Sequence, residues 1–375
     1  MNKYKIAFIG WNPFQFIHIK LLASKIPGSV FILEKRRDHL NDFTKEILTN
    51  QEVPVVVWET GKIKELDGVF DVIVCQTMFL HLPLFEKTKI VMLQYGYAKE
   101  PHNYGTWRAL ADLCLVYGSY PEKKLSTYAP SEAVGNPRLQ LWYDEDFHLI
   151  AKNKYIHSID DGLLTVLYMP TWGELSSIDE YIGAVLGLSE RYNVLVKLHH
   201  NTDLLEDGRL EKIETDRIHF FGANDDALEL LSISDIVISD YSGAIFDAIH
   251  CEKPVVLLDK NENEILEEAK IDTHSLEFNR RDELGYRVAR PSDLIDGIKY
   301  IEENYDYIVG EKKAIKSELY EYSENSVEKC IEAISSLISG DIVRTQMQSY
   351  IHDSVKELYQ LKRQYNILKK SKNGR

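Results

Sequence analysis

Short runs of aliphatic and β-branched residues alternate along the chain with segments of helical periodicity. The apolar runs are continuous, which is typical of strands buried on both faces of a parallel sheet. A first series of predicted strands covers Lys5–Ile9, Ser29–Leu33, Val53–Trp58, Phe70–Cys75, Lys89–Gln94 and Leu113–Tyr117. A second series covers Leu164–Tyr168, Asn193–Leu198, Ile218–Phe221, Ile236–Ser239 and Val255–Leu258. Helical segments between such strands predict an α/β fold with two doubly wound parallel sheets.

The polar stretch Asp144–Asp161 separates the two series of strands. We therefore place a first Rossmann-like domain at residues 1–145 and a second one at residues 146–340, followed by a helical tail at residues 341–375. Two domains are also what a chain of 375 residues is expected to form. The two sheets are expected to face each other, and the cleft between them is then the expected ligand site.

The tail has the pattern of one long amphipathic helix. Its apolar positions recur every three or four residues, at Ile351, Val355, Leu358, Leu361, Tyr365 and Leu368. From Val343 to Arg375 eight basic side chains outnumber two acidic ones, although the whole chain has a net charge of −15. Two interpretations stay open: packing on the protein itself or on a second copy of it, and contact with an anionic membrane surface.

Composition narrows the class of protein. The acidic net charge argues against a broad nucleic-acid-binding surface. The four cysteines lack CxxC or zinc-ligand spacing, which favours reduced thiols in the cytoplasm. No apolar run approaches the roughly 18 residues of a membrane span, and the N-terminus leads into a strand without a cleavable signal. We therefore expect a cytoplasmic protein whose tail is the candidate contact with the inner face of the cell membrane.

Several nucleotide-binding motifs are absent from the sequence. The first strand ends in Ile9-Gly10-Trp11-Asn12-Pro13-Phe14 instead of GxGxxG, which disfavours NAD or FAD. The chain contains no P-loop sequence. The acidic stretch Asp144-Glu145-Asp146 has the form DxD, but a solvated turn explains it more simply than a metal site does.

Polar loops follow four predicted strands at their C-terminal ends, where open α/β sheets bind ligands. The loops are Gln94-Tyr95-Gly96-Tyr97 with His102 close behind, Tyr168-Met169-Pro170-Thr171-Trp172-Gly173, Lys197-Leu198-His199-His200 and Ser239-Asp240-Tyr241-Ser242-Gly243. Each loop alone is explained by a turn or a helix cap. Together they supply hydroxyls, imidazoles, an ammonium group and helix N–H groups, which all suit a phosphate ligand.

The order of these motifs resembles the CDP-glycerol glycerophosphotransferase family, whose members build wall teichoic acids and related capsule polymers. The matching stretches are Gly135-Asn136-Pro137-Arg138, Tyr168–Trp172, Val196–His199 and the block Ser239–Asp247 followed by Lys253-Pro254. The resemblance implies a GT-B-like fold, with the first domain on the acceptor side and the second on the donor side. It also implies transfer of an alditol phosphate from a CDP-activated donor to a hydroxyl of a polymer or a lipid-linked acceptor, with release of CMP.

The resemblance implies roles for individual residues. His199 is the implied catalytic residue on the donor side. Asp240 is interpreted as a structural or ribose-side residue, because a carboxylate aimed at phosphate would repel it. No metal or cofactor is expected beyond the activated donor, since helix N–H groups and His199 offset the developing charge. The implied donor-binding residues are Arg138, Thr171, Lys197, Ser239, Asp240, Ser242, Gly243 and Asp247.

One departure from the family concerns the base. Members commonly carry Trp-His-Gly where this chain has Gln94-Tyr95-Gly96, and that histidine is the proposed base. A tyrosine with an ordinary pKa of about 10 is a poor base at neutral pH. His102 and His18 are therefore candidates beside Tyr95 itself. Three other functions stay open: a GT-B glycosyltransferase using a nucleotide sugar, a UDP-sugar epimerase, which shares two facing Rossmann domains, and a binding module without catalysis, which the missing histidine allows.

Overall fold

In the computed structural model, which describes residues 4–36, 43–205, 218–222, 224–260 and 272–373, the chain forms two compact units. Unit 1 consists of Met1–Tyr95, Tyr104–Arg138 and Leu319–Arg375. Unit 2 consists of Gly96–Asn103 and Leu139–Glu318. The chain therefore crosses between the units more often than the predicted division at residue 145 implies.

Unit 1 is built on a seven-stranded parallel sheet with the strand order β3-β2-β1-β4-β5-β6-β7. The first six strands of this sheet have the order 3-2-1-4-5-6 of a dinucleotide-binding Rossmann fold. The strands are β1 (Ile6–Gly10), β2 (Val30–Lys35), β3 (Val55–Glu59), β4 (Val72–Cys75), β5 (Lys89–Leu93), β6 (Leu113–Val116) and β7 (Ser131–Ala133).

Unit 2 repeats this topology with six parallel strands in the order β10-β9-β8-β11-β12-β13. The order reverses between β8 and β11, which is the position where such sheets bind ligands at the carboxyl ends of their strands. The strands are β8 (Thr165–Met169), β9 (Asn193–Lys197), β10 (His219–Phe221), β11 (Ile236–Ser239), β12 (Val255–Leu258) and β13 (Tyr286–Val288).

All eleven predicted strands are present, and the predicted pair of parallel α/β sheets is confirmed. Two strands, β7 and β13, are missing from the sequence-based prediction. Each has three residues, lies at the edge of its sheet and keeps most of its side chains partly exposed. Such strands carry no apolar run, so no hydrophobic signal marks them.

The described helices alternate with these strands and then continue to the end of the described chain. Asn12 and Pro13, which replace the expected glycine motif, begin the first helix: Asn12 Oδ1 accepts the Gln15 N–H at 2.8 Å. The helices are α1 (Pro13–Ser24), α2 (Lys45–Leu48), α3 (Glu100–Asn103), α4 (Ser119–Leu125), α5 (Glu145–Tyr155), α6 (Ile178–Gly187), α7 (His200–Leu205), α8 (Ala227–Ser232), α9 (Ala244–His250), α10 (Leu276–Asn279), α11 (Arg281–Leu284), α12 (Leu294–Glu303), α13 (Tyr305–Glu311), α14 (Lys313–Leu319), α15 (Ser326–Ser339) and α16 (Gln346–Asn373).

The C-terminal helix α16 packs on unit 1 along one face. Gln348 donates to the Ser126 carbonyl at 2.7 Å, and Lys356 donates to the Phe85 carbonyl at 3.2 Å. Val355 packs against the apolar core of unit 1. The apolar positions predicted for the tail therefore do not form one buried face, because Val355 contacts unit 1 whereas Leu358, Leu361, Tyr365 and Leu368 are exposed.

Among the residues that the structure describes, no helix has both the length and the apolar character required to cross a membrane.

Candidate functional site

The polar loops of unit 2 meet where β8 and β11 end side by side. Ile236 to Ser239 pair in register with Val166 to Met169, so both strands deliver their next residues to the same edge of the sheet. Ser239 is fully buried, and its hydroxyl donates to the Met169 carbonyl at 2.7 Å. The Ser239 hydroxyl therefore joins the two strand ends, whereas the sequence suggests that it binds phosphate.

Asp240 holds the loop after β8 in place. Its Oδ1 accepts the N–H groups of Thr171 at 2.8 Å and Tyr241 at 2.7 Å. Its Oδ2 accepts both the N–H and the hydroxyl of Ser177, each at 2.9 Å. Burial raises the pKa of Asp240, while these four donors oppose the rise. Both carboxylate oxygens are occupied and Asp240 has no exposed surface. Asp240 is therefore a structural residue rather than one in direct contact with phosphate.

The turn after Asp240 leads into helix α9. Ser242 is 6% exposed, and its hydroxyl accepts the Ala244 N–H at 3.3 Å, so it caps the first turn. Gly243 is exposed and has open space where a Cβ would lie. Asp247 lies half-buried one turn further along α9. Of the side chains in this block, Ser242 and Asp247 therefore keep some surface for a ligand.

The ends of β8 and β9 carry a group of rings. Trp172 stacks at 6.0 Å between ring centroids on His199, which in turn stacks on His200 at 4.2 Å. All three side chains are partly exposed. Thr171 is 2% exposed, whereas Lys197 is buried with its Nζ donating to the Leu198 carbonyl at 3.0 Å. The accessible surface here is thus aromatic and imidazole, with Thr171 and Lys197 beneath it.

The hydrogen bonds of His199 define its tautomer. The backbone N–H of Asn201 donates to Nδ1 at 3.1 Å, so Nδ1 is unprotonated and the ring proton is on Nε2. Burial, then His200, Lys99 and Lys197, lower the pKa of His199 well below its ordinary value of 6.5. Burial and Lys197 also lower the pKa of His200, to about 4. At neutral pH His199 is therefore an uncharged ring that offers an Nε2–H donor, which suits a phosphate oxygen and not the role of a base.

In unit 1 the structure brings His18, Arg138 and Tyr95 together. Arg138 Nη1 lies 3.0 Å from His18 Nε2, and both side chains are buried. Because a guanidinium only donates, Nε2 is the acceptor and the proton of His18 is on Nδ1. His18 also contacts Phe14 at 4.0 Å and Tyr95 at 6.2 Å between ring centroids. The expected donor ligand Arg138 thus lies in unit 1, among the candidate bases.

Two of the three candidate bases are not poised for proton abstraction in this arrangement. His18 has its basic Nε2 lone pair occupied by Arg138. Burial raises the pKa of Tyr95 above its ordinary value of 10, so its neutral form is favoured further. His102 is exposed on α3, and that short helix belongs to unit 2. His102 is consequently the candidate whose placement leaves it accessible.

The motif Gly135-Asn136-Pro137-Arg138 has a structural reason within unit 1. Gly135 has a φ of +79°, and a Cβ there would lie 2.3 Å from the Glu321 carbonyl oxygen. The hydroxyl of Ser326 donates to the Asn136 carbonyl at 3.1 Å. Glycine is therefore required where the segment before Arg138 meets the C-terminal part of the chain.

Sequence reasoning missed two residues that build the site in unit 2. Arg281 donates from Nη1 to the Asp240 carbonyl at 2.7 Å and from Nη2 to the Leu258 carbonyl at 2.8 Å. Ser177, through Asp240, fixes the far end of the loop after β8. Neither stands in a motif, and each reaches the site only through tertiary contacts. The acidic stretch at Asp144 is a helix cap, because its Oδ1 accepts the Asp146 N–H at 3.0 Å.

Comparison with known proteins identifies the family. The sequence matches the CDP-glycerol:poly(glycerophosphate) glycerophosphotransferase family over residues 127–336, which is more than half of the chain. The chain belongs to this family. The predicted enzyme class, a glycerophosphotransferase that transfers an alditol phosphate from a CDP-activated donor, is thereby confirmed. No curated protein matches the chain in sequence.

Solved structures agree in fold. TagF, a wall teichoic acid polymerase, superimposes with a TM-score of 0.62 at 15% identity, covering 90% of this chain and 89% of that one. A TagF variant soaked with CDPG gives 0.64 at 14% identity, over 90% and 88%. The UDP-GlcNAc 2-epimerase from Neisseria meningitidis bound to UDP-GlcNAc gives 0.57 at 14% identity, over 88% and 99%. The GT-B-like architecture is thus shared by proteins of different chemistry.

Among the described residues, no group of three or more His, Cys, Asp and Glu side chains is arranged to hold a metal ion.

Proposed function

We propose that this glycerophosphotransferase binds the diphosphate of CDP-glycerol, or of a related CDP-alditol, at the switch point between β8 and β11. An acceptor hydroxyl then attacks the β-phosphorus, and CMP leaves. Family membership supports the reaction class. The observation that supports this location is the partly exposed cluster of Trp172, His199 and His200 at the carboxyl ends of β8 and β9. The acceptor is a hydroxyl of a growing polymer or of a lipid-linked primer.

His199 acts in this proposal as a neutral hydrogen-bond donor. Its Nε2–H contacts a non-bridging oxygen of the diphosphate and stabilises the charge that develops as CMP leaves. Ser242 supplies a second donor once its hydroxyl rotates from the helix cap. Phosphoryl transfer of this kind passes through a loose transition state, so positioning and charge stabilisation matter more than a strong base. The role of accepting the hydroxyl proton falls to His102, which is accessible.

The site supplies its positive potential from side chains and N–H groups in this proposal. We propose that no metal or cofactor is held permanently, and that the nucleotide enters with the substrate. Addition of EDTA during turnover tests this, since activity that persists in the chelator agrees with it. Activity that disappears with EDTA and returns with Mg²⁺ contradicts it.

The test of the reaction is the nucleotide that is released. Purified protein is incubated with CDP-glycerol, CDP-ribitol, UDP-GlcNAc and other nucleotide sugars, with and without a poly(glycerol phosphate) or lipid-linked acceptor. The proposal predicts acceptor-dependent CMP from a CDP-alditol. Release of a nucleoside diphosphate would instead identify a glycosyltransferase, and acceptor-independent isomerisation of a UDP-sugar would identify an epimerase, the alternative that the shared fold keeps open.

We further propose that the end of helix α16 attaches the enzyme to an anionic membrane surface. Leu361, Tyr365 and Leu368 recur on one face of the helix and are 53%, 64% and 61% exposed. Lys362 and Lys369 are exposed beside them, and the sequence has no acidic side chain after Glu357. An apolar face flanked by basic side chains, with no acidic one beyond Glu357, is the combination that binds anionic lipid surfaces.

Vesicle sedimentation separates this role from self-association. Wild-type protein is expected to sediment with vesicles that contain phosphatidylserine and to remain in solution with phosphatidylcholine alone. Leu361→Glu combined with Leu368→Glu should abolish sedimentation, whereas Asn366→Glu, at an exposed position on the opposite side of the helix, should not. Protein that stays in the supernatant with both lipids but forms a dimer in analytical ultracentrifugation, lost in the same double variant, would contradict membrane attachment.

A further inference from the structure

The segment Gly96–Asn103 directly follows Tyr95 and belongs to unit 2. Tyr97 is 1% exposed and contacts Phe246 of α9 at 5.2 Å between ring centroids. The N–H of Lys99 donates to Glu277 Oε1 at 2.7 Å, and the N–H of Glu100 donates to Ser275 Oγ at 3.1 Å. Three contacts therefore fix the backbone on both sides of Lys99.

Lys99 has a backbone conformation that lysine rarely adopts. Its φ is +59°, in the left-handed region where glycine and asparagine are common and a lysine is not. Backbone strain of this kind persists only when surrounding contacts impose it, and it is found more often at functional sites. Here the contacts with Glu277 and Ser275 impose it, and the side chain of Lys99 is the feature that they orient.

The side chain of Lys99 lies over Trp172, in the cluster formed with His199 and His200. Its Nζ lies 5.5 Å from the centroid of Trp172, whose ring stacks on His199. Lys99, Trp172 and His199 are all partly exposed, so a ligand has access to the three of them together. The charge of Lys99 also contributes to the lowered pKa of His199. The ammonium group is thus within electrostatic reach of the ring that we assign to the diphosphate.

We propose that Lys99 is a further substrate-binding residue of this enzyme, which places its ammonium group on the diphosphate of the donor, and that Glu277 positions it. The proposal rests on the proposed function. The donor carries its negative charge on the diphosphate, whereas His199 and His200 are uncharged at neutral pH and Lys197 donates to a backbone carbonyl. An ammonium group above Trp172 supplies the positive charge that this surface needs.

Glu277 fits a positioning role because it is buried beneath the segment. It is 1% exposed, and burial raises its pKa to about 7 although the Lys99 N–H opposes the rise. The other charged groups that affect it are Glu100, which raises the pKa, and the Lys99 side chain, which lowers it. Oε1 accepts the Lys99 N–H in either protonation state, so the contact itself needs an acceptor oxygen rather than a charge.

The left-handed backbone of Lys99 allows a test that separates binding from folding. Lys99→Gly removes the ammonium group but suits the backbone, so its melting temperature should equal or exceed that of the wild type. Its kcat/KM for CDP-glycerol should fall about 10-fold or more, mainly through KM, because a charge-assisted contact is lost. Lys99→Arg should retain most of the activity. Lys299→Met, at a partly exposed lysine on α12 that pairs with Asp296, is the control for loss of one charge.

Glu277 is tested by two changes that differ in the acceptor oxygen. Glu277→Gln should preserve the KM for donor, since its amide oxygen still accepts the Lys99 N–H, whereas Glu277→Ala should raise it. If Glu277→Ala loses stability but keeps the wild-type KM for donor, Glu277 is only a structural residue and its positioning role is overturned.

Measurements of binding and turnover show whether the proposal for Lys99 fails or the proposed function itself fails. If wild-type protein releases CMP from CDP-glycerol and Lys99→Gly does so with unchanged KM, the proposal for Lys99 is wrong while the proposed function stands. If the wild type releases no CMP from any CDP-alditol, the proposed function fails. Calorimetric titration with inorganic pyrophosphate then decides the site: weaker binding by Lys99→Gly than by the wild type supports Lys99 as a diphosphate ligand, and equal binding overturns it.

Discussion

Replacement of Asp240 by Asn tests whether this side chain acts as a clamp, that is, whether its hydrogen bonds hold the loop after β8 in place. The wild-type carboxylate accepts four donors from Thr171, Ser177 and Tyr241. An asparagine offers one oxygen, which satisfies the two donors on one side. Its amide group then faces the donors on the other side. With the amide toward Ser177, the Ser177 hydroxyl rotates to accept from it, but the buried Ser177 N–H stays unpaired. The opposite orientation leaves the N–H groups of both Thr171 and Tyr241 unpaired.

The magnitude follows from these contacts. A buried N–H without a partner costs about 1–3 kcal/mol, and the exchange of a charged acceptor for a neutral one weakens each of the two remaining bonds by roughly 1 kcal/mol. Asp240→Asn should therefore lower the free energy of unfolding by about 3–5 kcal/mol. Ser239→Ala, which removes a single bond to the Met169 carbonyl, should lower it by about 1 kcal/mol.

Urea unfolding of wild type and both variants in the same buffer measures the difference. Hydrogen exchange at Thr171 and Ser177 should increase in Asp240→Asn and remain near the wild-type rate in Ser239→Ala. An Asp240→Asn variant whose stability lies within 1 kcal/mol of the wild type would refute the clamp.

Two further predictions concern histidines. His199→Ala should lower kcat for CMP release about 10-fold or more, whereas His199→Gln, whose amide nitrogen replaces the Nε2–H donor, should recover part of it; equal loss in both would argue against the donor role. His250 is fully buried, and burial lowers its pKa from 6.5 to about 3. Its neutral form stabilises the fold fully above pH 6.5, and this stability is lost as the pH falls from 6.5 towards 3, by about 2 kcal/mol at pH 5. Stability measured from pH 7.5 to 5 should therefore decline less in His250→Gln than in the wild type, and parallel curves would contradict this.

The sequence carries much of the fold because the apolar runs are strong and local. Eleven of the strands follow from continuous aliphatic stretches, and their parallel arrangement follows from the helices between them. The return of the chain from Leu319 to unit 1 has no such signal. It depends on contacts such as the Glu321 N–H to the Tyr117 carbonyl at 2.8 Å, which join residues far apart in sequence.

The site is predicted less completely, since a motif shows where residues stand and not what their side chains contact. The motif at Ser239 and Asp240 lies at the expected strand end, yet both side chains form buried hydrogen bonds within the protein. Residue types alone do not reveal this, because the same hydroxyl and carboxylate serve as ligands or as clamps. Lys99 illustrates the reverse case: no motif marks it, and its proximity to Trp172 arises from the placement of a short segment in unit 2.

The nucleotide released during turnover distinguishes transfer of glycerol phosphate from the alternative reactions. Wild-type protein and His199→Ala are incubated with CDP-glycerol and a poly(glycerol phosphate) acceptor, and the products are separated by anion-exchange chromatography. We expect CMP in amounts equal to the glycerol phosphate added to the polymer, and a rate at least 10-fold lower in the variant. Release of CDP, or equal rates of CMP release in the two proteins, would contradict this expectation.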